Sequence, residues 1–493
     1  MKTIKYLFII TFVFQISSGF AQTDIAGGNV SGIWSYTNSP YYVNGEITIP
    51  NGETLKIEPG VKVIFTVYYA FNIQGQLLAT GNKQDTITFT AQNTNVGWKG
   101  LRFIKTSSAN DSSKIIFCKI QYVQAAGLGG AIYIENFDKL IISNSLITMN
   151  ATYGDISSGG GGIAMVGSSP IIENNMITYN TASGGHGGGL SISSGSNPYV
   201  ENNIISKNES TAGGAFMAVE SNPLFINNTI VENKANISGG VPCHGGAMCI
   251  IACSPVFINN IIYGNRANIG NQIHLQGGAE PSFVNCIIEG GIRDFARDGA
   301  NRGSFSGIYL SNIETDPIFI NTTVNDFHPS DSSPCIGAGI DSVEFGNEWI
   351  CSPNYDFEGN LRPNPKDSKP DIGAYENVLG KPVTTGLVED LNQLTDQYQL
   401  YQNYPNPFNP TTKIKYSIPS VGTSLMKFIQ LKVYDILGNE VATLVNEEKP
   451  AGTYEVEFSA GSSGDARKLT SGIYFYQLKA GNLTSTKKFL LLK

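Results

Sequence analysis

The sequence PYVENNIISKN at residues 198–208 decides the fold, because copies of it recur through the middle of the chain. Each full copy begins with proline, contains two adjacent asparagines and ends on a third asparagine. The other full copies lie at residues 170–180, 223–233 and 255–265, and degenerate copies lie on both sides of the series. The first asparagine recurs at spacings of 30, 28, 25, 32 and 26 residues, at Asn144, Asn174, Asn202, Asn227, Asn259 and Asn285. Such a period indicates stacked repeats.

The repeat predicts strands that stack into a solenoid. Each copy holds short segments in which apolar and polar residues alternate, and glycines interrupt these segments too often for helices. One copy cannot bury its own apolar face, but stacked copies share a continuous core. The leucine spacing of leucine-rich repeats is absent, and propeller blades need about 40–50 residues. The pattern therefore predicts an all-β protein whose main domain is a right-handed parallel β-helix.

The six recurring asparagines are predicted to be structural. Stacking places them above one another about 4.8 Å apart, where side-chain amides can bond along the column. Asparagine also tolerates the left-handed backbone conformation that a sharp corner requires. We therefore expect an asparagine ladder at one corner of the β-helix.

Composition excludes several classes of protein. The chain has 493 residues, of which 41% are hydrophobic, and its formal net charge is −8. The hydrophobic content excludes a disordered chain, and a general nucleic-acid binder would need a basic surface. We therefore expect a folded protein of several domains with no nucleic-acid partner.

The N-terminus predicts export. Lys2 and Lys5 precede an apolar run at residues 6–16, and small residues at Gly19 and Ala21 favour cleavage before Gln22. These are the parts of a secretory signal peptide, and they are too short for a stable membrane span. We therefore predict a signal peptide at residues 1–21 and no transmembrane segment in the mature chain.

Two further blocks resemble known exported proteins. The strings PNGETLKIEPGVKVIF at residues 50–65 and GWKGLRF at residues 97–103 resemble the N-terminal coils of right-handed β-helix proteins of the pectin-lyase-like superfamily. The strings DFHPSDSSPCIGAG at residues 326–339 and DFEGNLRPNPKDSKPDIGAYE at residues 356–376 resemble the closing segment of exported β-helix proteins of the choice-of-anchor Q type. That resemblance implies that residues 22–376 form the β-helix and that the closing segment, at about residues 316–376, caps its open end. The capping residues would be Asp356, Arg362 and Asp371.

The last part of the chain resembles a sorting domain. Residues 398–419 read YQLYQNYPNPFNPTTKIKYSIP, and the alternation that follows predicts a small antiparallel sandwich. The run is similar to the type A C-terminal sorting domain of the type IX secretion system. The resemblance implies a linker at residues 377–397, a sorting domain at residues 398–493, and the secretion machinery as a partner. The expected location is outside the cell, either secreted or attached to the outer-membrane surface.

The cysteines allow one predicted disulfide. Seven cysteines in an exported chain leave at least one thiol unpaired. Cys335 and Cys351 flank one loop and form the candidate pair.

Two functions remain open from the sequence. The first is a polysaccharide lyase or glycoside hydrolase, whose candidate catalytic residues are Glu173, Glu201 and Lys207. Glu173 and Glu201 fall at the same position of adjacent repeats, and two stacked carboxylates share a proton or bind a cation such as calcium. Lys207 and Glu232 are expected to form a pair of opposite charges across neighbouring coils.

The second function is binding without catalysis, by a secreted or surface protein of the adhesin type. The long face of a β-helix offers a repetitive groove for a polysaccharide. Four tyrosines of the repeats could stack on sugar rings: Tyr153, Tyr179, Tyr199 and Tyr263. The sequence shows no convergent set of acids and bases, and this favours binding over catalysis.

Overall fold

The computed structural model describes ten stretches of the chain, namely residues 22–155, 158–236, 244–298, 305–346, 348–383, 399–418, 427–449, 452–460, 469–480 and 483–492. The predicted signal peptide lies outside these stretches, as do residues 384–397 of the predicted linker.

The main domain is the predicted right-handed parallel β-helix, built from three sheets of eleven strands each. The chain visits sheets A, B and C in turn, and each strand pairs in parallel with the strand one coil away. Sheet A comprises Thr23–Ile25, Tyr41–Val43, Lys62–Phe65, Ile87–Ala91, Cys118–Gln121, Leu146–Thr148, Met176–Thr178, Ile204–Ser206, Thr229–Val231, Ile261–Tyr263 and Ile287–Ile288. Sheet B comprises Gly28–Asn29, Ile47–Ile49, Phe71–Ile73, Leu101–Phe103, Ile132–Glu135, Ile163–Val166, Leu190–Ser193, Phe216–Val219, Met248–Ile251, Ile273–Gln276 and Ala296–Arg297. Sheet C comprises Gly32–Trp34, Thr54–Ile57, Gln76–Thr80, Ser113–Ile116, Leu140–Ser143, Ile171–Glu173, Tyr199–Glu201, Leu224–Ile226, Val256–Ile258, Ser282–Val284 and Tyr309–Leu310.

A fourth, smaller sheet occupies the corner between sheets A and B. Sheet D comprises Gln124–Ala126, Ala151–Tyr153, Thr181–His186, Glu209–Ala212 and Lys234–Ala235. Glycines directly follow four of its five strands because the chain passes close to the next coil: a Cβ added at Gly188 would lie 2.5 Å from the Gly214 carbonyl oxygen. The repeated glycine pairs of the sequence are therefore required by close backbone contact between coils.

The core of the β-helix is a column of inward-facing side chains. Phe225 stacks on Phe257 with ring centroids 5.1 Å apart, and Phe257 stacks on Phe283 at 4.8 Å. The last coil is closed by an aromatic cluster in which Phe295 contacts Phe283, Phe305 and Tyr309. These rings cover the end of the core, where the resemblance implied a cap of charged residues from the closing segment.

The asparagine ladder exists, but it is formed by the second asparagine of each pair. The first asparagine adopts the left-handed conformation, with φ of 52° at Asn202, and this turns its side chain outward. The next residue, Asn203, points inward, where its Nδ2 donates to Asn228 Oδ1 at 3.0 Å. This ladder consists of Asn175, Asn203, Asn228 and Asn260, and a second one at the corner between sheets A and B consists of Asn150, Asn180, Asn208, Asn233 and Asn265. The prediction that Asn144, Asn174, Asn202, Asn227, Asn259 and Asn285 form the ladder is therefore wrong by one residue, although Asn259 Nδ2 does donate to Asn227 Oδ1 at 3.4 Å.

The closing segment does not cap the open end of the β-helix, so the capping role that the resemblance implied for it is wrong. It packs sideways on the outer face of sheet A, where Phe327, Ile372 and Tyr375 cover outward-facing side chains such as Ile204 and Ile261. Its regular elements are the antiparallel pairs Phe319–Asn321 with Asp326–Pro329 and Ser342–Phe345 with Glu348–Cys351, and the 3-10 helix Thr322–Val324. The remaining 3-10 helices of the β-helix domain are Tyr36–Asn38 and Gly291–Asp294.

The outward asparagines hold this segment in place. Asn202 Nδ2 donates to the Tyr355 carbonyl oxygen at 2.8 Å, and Asn227 Nδ2 donates to the Asp371 carbonyl oxygen at 3.0 Å. Asn259 and Asn285 donate to the carbonyl oxygens of residues 340 and 338. Four successive coils therefore each contribute one side-chain amide to the closing segment.

The predicted disulfide is not formed. Cys335 is buried beneath the closing segment, whereas Cys351 is exposed at the end of a hairpin strand, and both thiols are free. The two residues flank one loop in sequence, but one side chain packs against sheet A and the other faces solvent.

We expect Asn228→Ala to lower the stability of the β-helix by about 3 kcal/mol, because it leaves several buried donors and acceptors unpaired at about 1 kcal/mol each. Asn228 Oδ1 accepts from the backbone and side-chain nitrogens of Asn203, and its Nδ2 donates to Val200, Ile226 and Asn260. The control is Asn174→Ala, which loses no hydrogen bond at Oδ1 and should cost about 1 kcal/mol because alanine tolerates the left-handed backbone less well than asparagine. Denaturant unfolding of both variants provides the measurement, and equal losses would contradict the assignment of the ladder.

Candidate functional site

Glu173 and Glu201 stack as the sequence predicted. They are paired residues of adjacent strands in sheet C, and both side chains are half-buried on its outer face. Burial raises the pKa of Glu173. Burial also raises the pKa of Glu201, Glu173 raises it further by repulsion, and the hydrogen bond from the Tyr199 hydroxyl opposes the rise.

This carboxylate pair is a poor metal site by itself. Within the described residues, no group of three or more His, Cys, Asp and Glu side chains is placed to hold a metal ion. Calcium takes six to eight oxygen ligands, so water and backbone would have to supply most of them. Calcium binding at this pair therefore stays a prediction, and the affinity we expect is weak.

Calorimetric titration of calcium into the protein tests that prediction. We expect weak binding, with a dissociation constant of about 1 mM or above, and a smaller heat for Glu201→Gln because one of the two carboxylates is lost. Glu135→Gln, which changes a carboxylate elsewhere on the surface, should behave like the wild type. Null heats for the wild type and for Glu201→Gln alike would remove the calcium hypothesis.

Lys207 directly follows the strand Ile204–Ser206 of sheet A and lies at the corner between sheets A and B. Its Nζ lies 3.5 Å from Glu232 Oε2, as the repeat spacing predicted. The same Nζ donates to Asn325 Oδ1 at 2.5 Å and lies 5.6 Å from the centroid of the Tyr179 ring. Lys207 is therefore fixed as a cation between a carboxylate, an amide oxygen and an aromatic ring.

Tyr179, Lys207 and Glu232 belong to the lining of a cleft of about 470 Å³, which we call the corner cleft. Its lining residues are Tyr179, Lys207, Asn208, Glu209, Glu232, Lys234 and Gly264. Glu209 and Lys234 are paired residues of adjacent strands in sheet D, so opposite charges face each other across coils here as well. The described lining of the cleft thus combines one half-exposed tyrosine ring with two positive and two negative side chains.

The three predicted catalytic candidates are not brought together. Glu201 and Lys207 lie on opposite sides of the strand Ile204–Ser206, whose outer face is covered by the closing segment. The carboxylate pair and the corner cleft are therefore separate features of the surface.

Sequence reasoning missed Glu209, Lys234 and Asn325 as neighbours of Lys207. Glu209 and Lys234 follow the third asparagine of their repeats directly, so the repeat alignment contains that signal. Asn325 lies 118 residues from Lys207 in sequence, and no local pattern indicates the contact.

The charged residues of the closing segment form a buried cluster. Arg362 Nε donates to Glu376 Oε2 at 2.9 Å, with both side chains fully buried, and Arg362 Nη1 donates to Asn202 Oδ1 at 2.7 Å. Asp371 accepts hydrogen bonds from the Gly337 and Asn377 backbone nitrogens. The arrangement satisfies the buried polar groups and attaches the closing segment, so its function is structural.

Asp371 should make this attachment sensitive to pH. Burial, together with repulsion by Glu376, raises the pKa of Asp371 to about 7. A carboxyl with a raised pKa in the folded state contributes stability at low pH, and the contribution is lost as pH rises from about 4 to about 7. Protection of residues 370–377 from hydrogen exchange, taken relative to the intrinsic rate at each pH, should therefore fall over that range, and Asp371→Asn should reduce the slope. A slope unchanged in the variant would contradict the assignment.

A cluster of histidine and cysteine lies on the outer face of sheet B. The His244 and His274 rings lie 4.4 Å apart, and the Cys249 thiol lies 3.8 Å from His274 Nδ1. Burial lowers the pKa of His274 to about 4 and raises the pKa of Cys249 to about 12. The imidazole and the thiol are therefore neutral at ordinary pH, and the thiol is a poor nucleophile.

The C-terminal domain is an antiparallel sandwich of two sheets. One sheet comprises Gln399–Leu400, Thr411–Ile418 and Gly452–Ser459, and the other comprises Glu440–Lys449, Lys427–Tyr434, Gly472–Ala480 and Leu483–Leu491. Its core includes Phe408, Tyr416, Tyr476 and Phe489. Among the described residues, no helix is long and apolar enough to cross a membrane.

Comparison with known proteins agrees with this architecture. Residues 103–288 match the family described as "Right handed beta helix region", and residues 402–492 match the family described as "Secretion system C-terminal sorting domain". No curated protein matches the sequence.

Two solved structures show some likeness to the chain. One is the pectate lyase Pel9A, with 15% identity and a TM-score of 0.29, over 65% of this chain and 88% of that one. The other is the enzymatically active domain of tailspike protein 4 of bacteriophage CBA120, with 11% identity and a TM-score of 0.19, over 85% of this chain and 60% of that one. The two family matches, and not these likenesses, identify a right-handed β-helix region followed by a secretion-system sorting domain, and the sorting domain implies export by the type IX secretion system.

Proposed function

We propose that this exported β-helix protein binds an extracellular polysaccharide in the corner cleft. The observation that carries the proposal is the combination of an exposed ring, Tyr179, with opposite charges on neighbouring coils. Lys207 and Glu232 form an ion pair, and Glu209 and Lys234 are opposite each other by strand register. Sugar-binding sites need an apolar surface for the ring face and fixed polar groups for the hydroxyls. The corner cleft supplies both.

The charges of the corner cleft favour binding over catalysis. Lys207 is engaged by Glu232 and Asn325, so it is not placed as a free base. The two positive and two negative side chains give the cleft no net charge, which suits neutral sugar chains better than polyuronates. The protein then acts as a secreted or surface-attached glycan binder.

Affinity electrophoresis of the full-length protein tests the proposal. The gels contain laminarin, xylan, mannan, pectate or alginate, and we expect retardation in at least one of the neutral polymers. Tyr179→Ala should reduce the retardation about fivefold or more, because it removes the ring that carries the apolar contact. The matched control is Tyr36→Ala, an exposed tyrosine at the N-terminal coil. An absence of retardation in all five polymers would contradict the proposed function.

A glycoside hydrolase or polysaccharide lyase is the alternative, and the stacked carboxylates favour the hydrolase. A general acid needs a raised pKa, and Glu173 and Glu201 both have one. Hydrolysis by two carboxyl groups also needs them to flank the scissile bond. Assays for new reducing ends and for unsaturated products on the same five polymers distinguish the two activities. If the wild type releases new reducing ends and Glu201→Gln does not, the function is hydrolysis and not binding alone.

A further inference from the structure

The outer face of sheet C carries a stripe of partly exposed apolar side chains. We number the coils by their strands of sheet C in chain order, from Gly32–Trp34 in coil 1 to Tyr309–Leu310 in coil 11. Strand register stacks the outward residues of coils 5 to 9 in one column, which consists of Ile141, Ile171, Tyr199, Leu224 and Val256. Ile171 is 40% exposed, and the other four are half-buried. The stripe is about 19 Å long, and an exposed apolar surface of this kind marks a contact site.

The charges of the same face are separated along the axis. The eleven strands of sheet C contain four charged residues. Lys56 and Lys114 lie in coils 2 and 4, in the column of the apolar stripe. Glu173 and Glu201 lie in coils 6 and 7. The face is therefore positive on the N-terminal side of coil 5 and negative on its C-terminal side.

A hairpin of the closing segment, residues 342–351, extends the negative side. Asn259 of coil 9 donates to the carbonyl oxygen of residue 340 and to the Ser352 hydroxyl, on either side of the hairpin. Burial raises the pKa of the Tyr199 hydroxyl, and the nearby Cys351 thiol is among the groups that raise it further. The hairpin therefore stands on the sheet C side of its corner. Its exposed side chains include two glutamates and a ring that is 66% exposed: Glu344, Glu348 and Trp349.

We propose that the outer face of sheet C is an interface between two copies of this chain, packed face to face with antiparallel β-helix axes. A two-fold interface must be complementary to itself. Antiparallel axes place the positive coils of one copy opposite the negative coils of the other, whereas parallel axes would place lysine opposite lysine. The interface does not depend on polysaccharide binding. Because the corner cleft lies at the corner opposite sheet C, both copies keep their clefts accessible.

A two-fold axis parallel to the strands, between coils 5 and 6, brings together residues of matching chemistry. Ile141 in coil 5 then packs on Ile171 of the second copy. Lys114 in coil 4 lies opposite coil 7 of the second copy, where Tyr199 and Glu201 face outward. These two residues are about 7 Å apart along their strand, a distance that a lysine side chain spans. Its ammonium group then relieves the repulsion between the stacked carboxylates.

The hairpin fits the same arrangement. It stands beside coil 9, and this axis places coils 8 and 9 opposite coils 3 and 2 of the second copy. Those coils present Leu78 and Lys56 in the outward column. The exposed ring of Trp349 then meets an apolar side chain, and the two glutamates of the hairpin lie near a lysine.

The face is large enough for a stable dimer. Ten coils give it a length of about 43 Å, and a strand with its flanking corner residues is roughly 17 Å wide. Each copy therefore buries on the order of 700 Å² in the sheet alone, close to the ~800 Å² per partner of a standard interface. The hairpin adds to this area.

Sedimentation velocity of the full-length protein at about 1–100 μM tests the proposal. We expect a dimer with a dissociation constant of about 1 μM or below. Ile171→Arg should weaken association about a hundredfold or more, because each dimer then buries two arginines without partners. The matched control is Ile269→Arg, at an isoleucine that is 37% exposed and lies outside sheet C, and it should dimerise as the wild type does. Circular dichroism melting confirms that each variant is folded.

Reversal of charges tests the orientation of the two copies. Lys114→Glu and Glu201→Lys should each weaken association about tenfold. The double variant should return to within about threefold of the wild type, because both symmetric contacts again join opposite charges. A wild type that stays monomeric at about 100 μM, or a dimer that Ile171→Arg leaves intact, would overturn the proposal. A double variant that associates no better than either single variant would contradict the antiparallel arrangement.

Discussion

Replacement of Arg362 by methionine is expected to release most of the closing segment from sheet A, at a cost of about 3–5 kcal/mol in local stability. The variant keeps the aliphatic volume but leaves Glu376 as a fully buried carboxylate without its ion-pair partner. It also removes the hydrogen bonds from the guanidinium to Asn202 Oδ1 and to the Gly373 carbonyl oxygen. Breaking a buried pair costs more than breaking an exposed one, because the remaining charge stays desolvated.

Hydrogen exchange measured by mass spectrometry checks this expectation. Peptides from residues 352–377 should exchange more than about a hundredfold faster in Arg362→Met, while the peptides of the β-helix core should change little. The control is Arg293→Met, which breaks the exposed pair with Glu314 and should cost less than about 1 kcal/mol. Unchanged exchange of residues 352–377 in Arg362→Met would show that the cluster does not hold the closing segment.

Deletion of residues 398–493 is expected to abolish appearance of the protein outside the cell. The deleted part contains the segment that matches a secretion-system C-terminal sorting domain. It has its own hydrophobic core, so its removal should leave the core of the β-helix intact. We propose that the signal peptide at residues 1–21 still directs the first export step, so the truncated protein should accumulate in the periplasm.

Cell fractionation with antibody detection provides the measurement. The control is a fusion of residues 398–493 to a periplasmic reporter protein, which should move the reporter to the surface or the medium. A truncated protein that reaches the surface at the normal level would contradict the sorting assignment.

The fold could be predicted from the sequence because a parallel β-helix repeats its constraints in every coil. In the repeats with paired asparagines, each corner between sheets C and A has one residue with positive φ and one inward amide, and asparagine meets both needs. In neighbouring coils Ser145 and Cys286 take the inward position and accept from the adjacent backbone. The error of one residue in the ladder arose because the spacing is the same for both asparagines of a pair. Only the left-handed turn decides which of the two side chains points inward.

The position of the closing segment could not be predicted from local patterns. The bond between Arg362 and Asn202 joins residues that lie 160 positions apart in sequence. One signal was nevertheless present: Ile204 and Ile205 are consecutive apolar residues in a strand, and strands buried on both faces lack alternation. Ile205 faces the core and Ile204 faces the closing segment.

The candidate site was predictable only where repeats determine it. Register places Glu173 beside Glu201 and Lys207 beside Glu232, and both pairs were predicted from spacing alone. Asn325, which accepts from Lys207 Nζ, comes from the closing segment. That contact depends on how the closing segment packs, so the sequence did not indicate it.

The most direct test of polysaccharide binding in the corner cleft is a hydrogen-exchange footprint of the full-length protein. It compares the free protein with the protein saturated by the polymer that retards it in affinity gels. We predict slower exchange in peptides that contain the strands Glu209–Ala212 and Lys234–Ala235, because these strands line the cleft. Protection confined to the strands Ile171–Glu173 and Tyr199–Glu201, or no protection anywhere in the β-helix, would contradict the account.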